Sequence, residues 1–198
     1  MKSKALYLLV FCILFYTWQP TNAQQVQWAS KVLDFSSELS PSEYSAQQIT
    51  GKPNVLPNGG DNPNAWFPSK PKKEQFIKVG FDDPMHIQQI AVGESYNPSG
   101  IFKVFVYDTL DKEYLINTFV PRPIRISGRI FNIFIERTEF EVSAVKIVLD
   151  CDAVPGYQGI DAIGIADSQE PIKAEVNLAS IANEDEMKPV KLSSNVNS

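Results

Sequence analysis

An all-β, antiparallel sandwich is the fold class this sequence predicts, and three observations predict it. Between Gln75 and Ile165 the chain runs in short segments rich in Val, Ile, Phe and Tyr that follow a period of two. Turn formers separate them: Asp82-Asp83-Pro84, Asn97-Pro98-Ser99-Gly100, Pro121 to Pro123 and Pro155-Gly156. Helical periodicity is almost absent. Short alternating strands at this spacing pair antiparallel and close into a sandwich or barrel.

Taken in order, the chain begins with Lys2 and Lys4, an apolar run from Ala5 to Tyr16, a helix-breaking Pro20 and the small residues of Thr21-Asn22-Ala23. This is a secretory signal peptide, residues 1–23, with cleavage before Gln24. The apolar run is about 12 residues, and a membrane span needs roughly 20. The mature chain is expected to have no transmembrane span. Residues 24–31 read as a polar lead-in and 32–35 as the first strand. Ser40-Pro41-Ser42-Glu43 places a capping serine, a first-turn proline and a carboxylate where a helix begins, and Gly51 and Pro53 end it. A helix of two turns over 41–49 follows. Residues 53–71 are rich in Asn, Gly and Pro and predict a long irregular loop. Strands are expected at 75–81, 87–92, 101–107, 114–119, 130–135, 145–149 and 160–165. Residues 168–198 are polar and acidic, a linker or tail beyond a domain spanning 24–167.

Composition narrows the function. The chain has 198 residues and a formal net charge of −5, and losing Lys2 and Lys4 with the signal makes it more negative. This argues against a nucleic-acid partner, which requires a basic footprint. Cys12 leaves with the signal, so Cys151 is the single mature thiol and no internal disulfide forms. Its place after an apolar strand marks it as a buried, inert thiol. His86 is the only histidine, which excludes a multi-histidine metal site and a Cys/His zinc knuckle. A Ser-His-Asp triad would have to use His86, which sits at a turn and reads as a surface side chain. No cofactor is expected. The metal reading is structural calcium held by loop oxygens of Asp61, Asn62, Asp150 or Asp152.

Four residues stand out as ligand contacts: Trp66, Glu94, Asn97 and Tyr157. Trp66 is an aromatic in a polar loop, able to stack on a ligand or to pin the loop to the core, and pinning is the stronger reading. Glu94 is an acid at a strand end with no evident local duty. Asn97 is also explained by turn chemistry. A hydrolase reading would pair Glu94 with Asp150 or Asp152.

The motifs Tyr44-Ser45-Ala46-Gln47-Gln48, Gly51-Lys52-Pro53-Asn54-Val55, Glu94-Ser95-Tyr96-Asn97-Pro98 and Ile160-Asp161-Ala162-Ile163-Gly164-Ile165 follow one another in a familiar order. With the strand Phe76-Ile77-Lys78-Val79-Gly80-Phe81 between them, the chain resembles discoidin-like, galactose-binding-like domains. More narrowly, it resembles a module of exported OmpA-family envelope proteins of Bacteroidetes-type bacteria. The resemblance implies a galactose-binding-like jelly-roll β-sandwich with one short helix. It also implies a non-catalytic role, recognising glycan or a cell-envelope protein through loops at one end, in the periplasm or at the outer membrane. In such proteins a β-propeller and an OmpA-like domain follow, and residues 192–198 look like the entry to the propeller. Those domains are not in this sequence, so peptidoglycan binding is not carried over. The rival reading is a scaffold module of an outer-membrane assembly, without a small ligand.

Overall fold

The structure is a computed structural model describing residues 23–174. The expected signal peptide, apart from Ala23, and the tail from 175 onward lie outside the described residues. Nine strands are present among those residues: β1 (Val26–Trp28), β2 (Lys31–Phe35), β3 (Glu74–Met85), β4 (Gln89–Tyr96), β5 (Ile101–Asp108), β6 (Glu113–Thr118), β7 (Arg129–Phe134), β8 (Val142–Asp150) and β9 (Gly159–Ala166). They form two antiparallel sheets, one ordered β1-β9-β4-β7 and the other β2-β3-β8-β5-β6. The all-β sandwich expected from the period-two pattern is the fold observed.

The alternation has a direct structural meaning. On β3, Ile77, Val79 and Phe81 are buried between the sheets, while Phe76 and Lys78 face outward. Val145, Ile147 and Leu149 of β8, Ile90 and Val92 of β4, and Ile163 and Ile165 of β9 complete the interior. Strand β9 is buried along its whole length, because its outer face is also covered. Trp28 lies over Gly164, Leu56 approaches Gly93, and Ile172 packs on Ala91 and Ala166. Ile172 is held there by Asn132, which accepts its N–H at 3.1 Å and donates to its carbonyl at 3.0 Å. The packed domain therefore runs past the expected limit at Asp167.

Strand β1 falls in the stretch read as a lead-in. It has only three half-buried residues, too few for a period to show, and β9 supplies its partner edge. The expected helix over 41–49 shrinks to one 3-10 turn, Ala46–Ile49. The reason lies in the neighbouring loop. Tyr44 donates its N–H to Pro63 O at 2.8 Å and accepts from Phe67 N at 3.2 Å. These bonds take backbone groups a helix would use, and Tyr44 sits at φ 56°, outside helical geometry. Ser40 Oγ makes only long contacts of 3.4 Å, with Ser42 N and Ser42 Oγ.

The outer face of the five-stranded sheet is solvated by lysines lying across aromatic rings. Lys78 Nζ is 3.5 Å from the Tyr107 centroid and Lys146 Nζ is 4.5 Å from that of Phe105. Each lysine also meets an acid, Asp111 and Glu113 respectively. This arrangement keeps stems on apolar surface and charges in water.

Asp161 has no partner residue on β4, since Gly93 pairs with Ala162 and Glu94 with Ile160. It is the extra residue of a β-bulge, a device that re-aims a side chain. Its carboxylate accepts from Asn54 N at 3.1 Å, Val55 N at 3.1 Å and Leu56 N at 2.9 Å, fastening the start of the long loop. Replacing Asp161 with Ala leaves three N–H groups without their acceptor. The expected cost is about 3 kcal/mol, measurable as a lower urea midpoint at unchanged slope.

Candidate functional site

The loops that follow β4 and precede β9 meet at one end of the sandwich, joined by the long loop and by the segment leading into β7. The turn after β4 is held from several sides. Glu94 is buried, with 1% of its side chain exposed. Its Oε1 accepts from Ser99 N at 2.7 Å and its Oε2 from Arg129 Nε at 2.6 Å. Arg129 stands opposite Glu94 in the β4–β7 register. Burial raises the Glu94 pKa, and Arg129 opposes that shift. Asn97 donates its amide to Pro155 O and Tyr157 O, both at 3.1 Å. It thereby ties the 155–157 loop to the turn and sets the backbone of Tyr157.

Two close approaches make this packing possible. A side chain at Gly59, which has φ 67°, would bring Cβ to 2.5 Å from Ser127 O. At Gly159 it would come within 2.6 Å of the Phe67 ring. Only glycine fits either position.

These ties expose an aromatic surface. Tyr96 and Tyr157 are 37% and 38% exposed. Phe67 is buried beneath them, stacked on Tyr96 at 5.6 Å and edge-on to Tyr44 at 5.0 Å. Two shallow depressions flank the Tyr96–Tyr157 pair. One of about 380 Å³ is lined by Leu39, Tyr44, Asp61, Phe67, Tyr96, Gly156 and Tyr157. The other, of about 430 Å³, adds Gly60, Asn97, Ile124, Ile126, Ser127 and Pro155 to Tyr96, Gly156 and Tyr157. Three non-glycine residues at positive φ gather here, Tyr44 at 56°, Asn97 at 44° and Ser99 at 81°. Such conformations cost about 1–3 kcal/mol each outside the residues that tolerate them, and they collect at binding and active sites.

The sequence candidates separate on this geometry. Tyr157 lies on the surface and lines both depressions. Asn97 lines one, with its amide committed to holding the loop. Trp66 does not reach the site surface. It is fully buried, pairs with Ile160 through N–H bonds of 2.8 and 3.0 Å, and donates Nε1–H to Ser37 O at 2.9 Å. It pins the loop to the core and has no exposed face for a ligand. Glu94 has the local duty its sequence setting did not disclose, because its partners Ser99 and Arg129 are set by the turn and by strand pairing. Tyr96, which lines both depressions, and Tyr44, which lines one, are not among the sequence candidates. Tyr96 could have been found from its place at the end of β4, next to turn residues. Tyr44 lay hidden in a helix reading.

The other chemical groups have structural occupations. His86 Nδ1 is 2.8 Å from Thr138 O. Asp150 accepts from Asp152 N and Ala153 N at 3.1 Å each, and Asn62 accepts from Asn64 N at 2.9 Å, both as turn formers. Among the described residues no group of three His, Cys, Asp or Glu side chains gathers as a metal site. No helix among them is long and apolar enough to cross a membrane.

Residues 20–174 match the family described as Pappalysin-1, SD scarf domain, C-terminal. The chain belongs to this family. The chain is also 21% identical over 186 residues to F-box/LRR-repeat protein 4 of Bos taurus, a match over 73% of this chain. It covers 29% of that relative's length. Among solved structures, the scarf domain resembles the C-terminal domain of a chitobiase from Bacteroides fragilis, with a TM-score of 0.53 and 13% identity over 73% of this chain and 96% of that one. It also resembles the family 32 CBM of NanJ from C. perfringens, solved in complex with galactose, with a TM-score of 0.51 and 12% identity over 72% of this chain and 99% of that one. At these identities the likeness establishes the galactose-binding-like sandwich fold expected from the sequence.

Glu94→Gln weakens the contact with Arg129 and the tie to Ser99. Arg129 is 30% exposed and regains water, so the expected loss is about 2 kcal/mol, read from denaturant unfolding. Cys151 is 1% exposed, and burial, with Asp150 and Asp152 adding to it, pushes its thiol up to about 11. Iodoacetamide at pH 8 is expected to leave it unmodified in the native protein and to label it after denaturation. The folded thiol keeps its proton beyond the unfolded value near 9, so its contribution to stability is intact below pH 9 and is lost as pH rises to about 11.

Proposed function

We propose that this protein is a non-catalytic glycan-binding module whose ligand seats across Tyr96 and Tyr157 at the loop end of the sandwich. The observation that carries the reading is the pair of depressions, about 380 and 430 Å³, divided by those two half-exposed rings. The apolar C–H face of a pyranose stacks on a phenol ring, while hydroxyls of tyrosine and carboxylates take up its polar edges. Asp61 supplies a carboxylate in one depression, and Ser127 a hydroxyl in the other. The galactose complex of the NanJ module and the chitobiase origin of the other similar domain support a sugar ligand for this fold. The function needs no cofactor.

The N-terminal sequence supports export, and the motif resemblance to OmpA-family modules supports a place in the periplasm or at the outer membrane, with a glycan or cell-envelope protein as partner. A protein-interaction role without a sugar is the second reading. It is favoured by Leu39 and Ile126, 40% and 47% exposed, which bring aliphatic surface to the two depressions.

A glycan array with the full chain tests the proposal. Saturable binding is expected, weakened at least about tenfold by Tyr157→Ala and by Tyr96→Ala, with the thermal midpoint of Tyr157→Ala close to wild type. Absence of binding across a broad array overturns the glycan reading in favour of a protein partner.

A further inference from the structure

We propose that the depression lined by Tyr44, Phe67, Tyr96 and Tyr157 receives a protonated amine, so that the glycan taken by this end of the sandwich carries a free ammonium group, as a de-N-acetylated amino sugar does. The inference rests on the glycan reading above and names the class of ligand.

Its basis is the company the rings keep. The depression has four aromatic side chains, one carboxylate, Asp61, and no cationic side chain in its lining. Elsewhere in the domain, five aromatic rings each have one of the chain's own cations over them. Lys78 lies over Tyr107, Lys103 over Phe102, Lys112 over Tyr114, Lys146 over Phe105 and Arg129 over Phe131, with the charge 3.5 to 4.8 Å from the ring centre. Among the described residues, no lysine or arginine lies over Tyr44, Phe67, Tyr96 or Tyr157. Converging rings attract a cation through their quadrupole, and a carboxylate beside them adds a full opposite charge. Asp61 supplies that charge. It forms no ion pair among the described residues, and it lies close enough to the Tyr44 hydroxyl to raise the Tyr44 pKa.

The neighbouring depression differs. Its lining, with Asn97, Ser127, Ile124 and Ile126, contains no charged side chain. A ligand bridging the Tyr96–Tyr157 divide therefore meets charge on one side and neutral surface on the other. The fitting ligand is an oligosaccharide with an amine-bearing sugar on the Asp61 side and an uncharged sugar surface on the Ile126 side.

Calorimetric titration of the full chain with a β-1,4-linked glucosamine tetramer and its fully N-acetylated counterpart tests this. The free-amine tetramer is expected to bind about tenfold more tightly. Asp61→Asn is expected to abolish most of that preference, because the affinity for the free-amine tetramer falls further than the affinity for the N-acetylated one. Tyr157→Phe, which keeps the ring, is expected to retain the preference, and Tyr157→Ala to lose it. Asp61 is exposed, so an unchanged thermal midpoint of Asp61→Asn confirms that the fold is intact. Equal or tighter binding of the N-acetylated tetramer overturns the inference and leaves the glycan reading standing. A preference that survives Asp61→Asn and Tyr157→Ala also overturns it, by placing the amine elsewhere. Failure of every oligosaccharide, neutral or amino, overturns the glycan reading itself.

Discussion

Two buried carboxylates on the central strands hold together the end of the domain that can meet a ligand. Asp161, on the bulge of β9, gathers the N–H groups of Asn54, Val55 and Leu56. Glu94, beside it on β4, joins Ser99 to Arg129. A buried charge is tolerated only where hydrogen bonds and opposite charge replace its water, so each acid commits the loops around it to one arrangement. The long loop, the turn after β4 and the start of β7 are fixed by these few bonds.

That constraint explains how a shallow, loop-built surface can be preorganised. The loops are long and rich in Gly, Asn and Pro, yet they are tied at Trp66, at Gly60 N–H to Ser95 O, and at Asn97 to Pro155 and Tyr157. The strained backbone at Tyr44, Asn97 and Ser99 is the other side of the same arrangement. It persists because the surrounding contacts determine it more than once. A site whose rings are held before the ligand arrives loses less entropy on binding.

The two faces of the domain handle aromatic surface in opposite ways. On the five-stranded sheet, the Tyr107 and Phe105 rings are shielded by Lys78 and Lys146, whose charges are met by Asp111 and Glu113. At the loop end, the tyrosines stand without a cation of their own among the described residues, beside Asp61. The same chemistry that solvates one face is left open at the other.

The sequence by itself determined the layers. The period-two runs placed β3 through β9 because alternation is a local consequence of strand geometry, and a strand of six or more residues carries it visibly. It also marked the end of the sandwich to watch, since turn residues around Asn97 and Tyr157 are local signals. What it could not determine were the long-range partners. Trp66 has the same sequence setting whether it meets a ligand or Ile160, and Glu94 lacks a local duty because Arg129 is brought to it only by strand pairing. Tyr44 follows a helix-start signature, and bonds to Pro63 and Phe67 override it. The burial of Trp66 and Glu94, the exposure of Tyr96 and the meeting of Tyr44, Asp61 and Tyr157 were decided by the tertiary structure, because each depends on contacts between segments far apart in the chain.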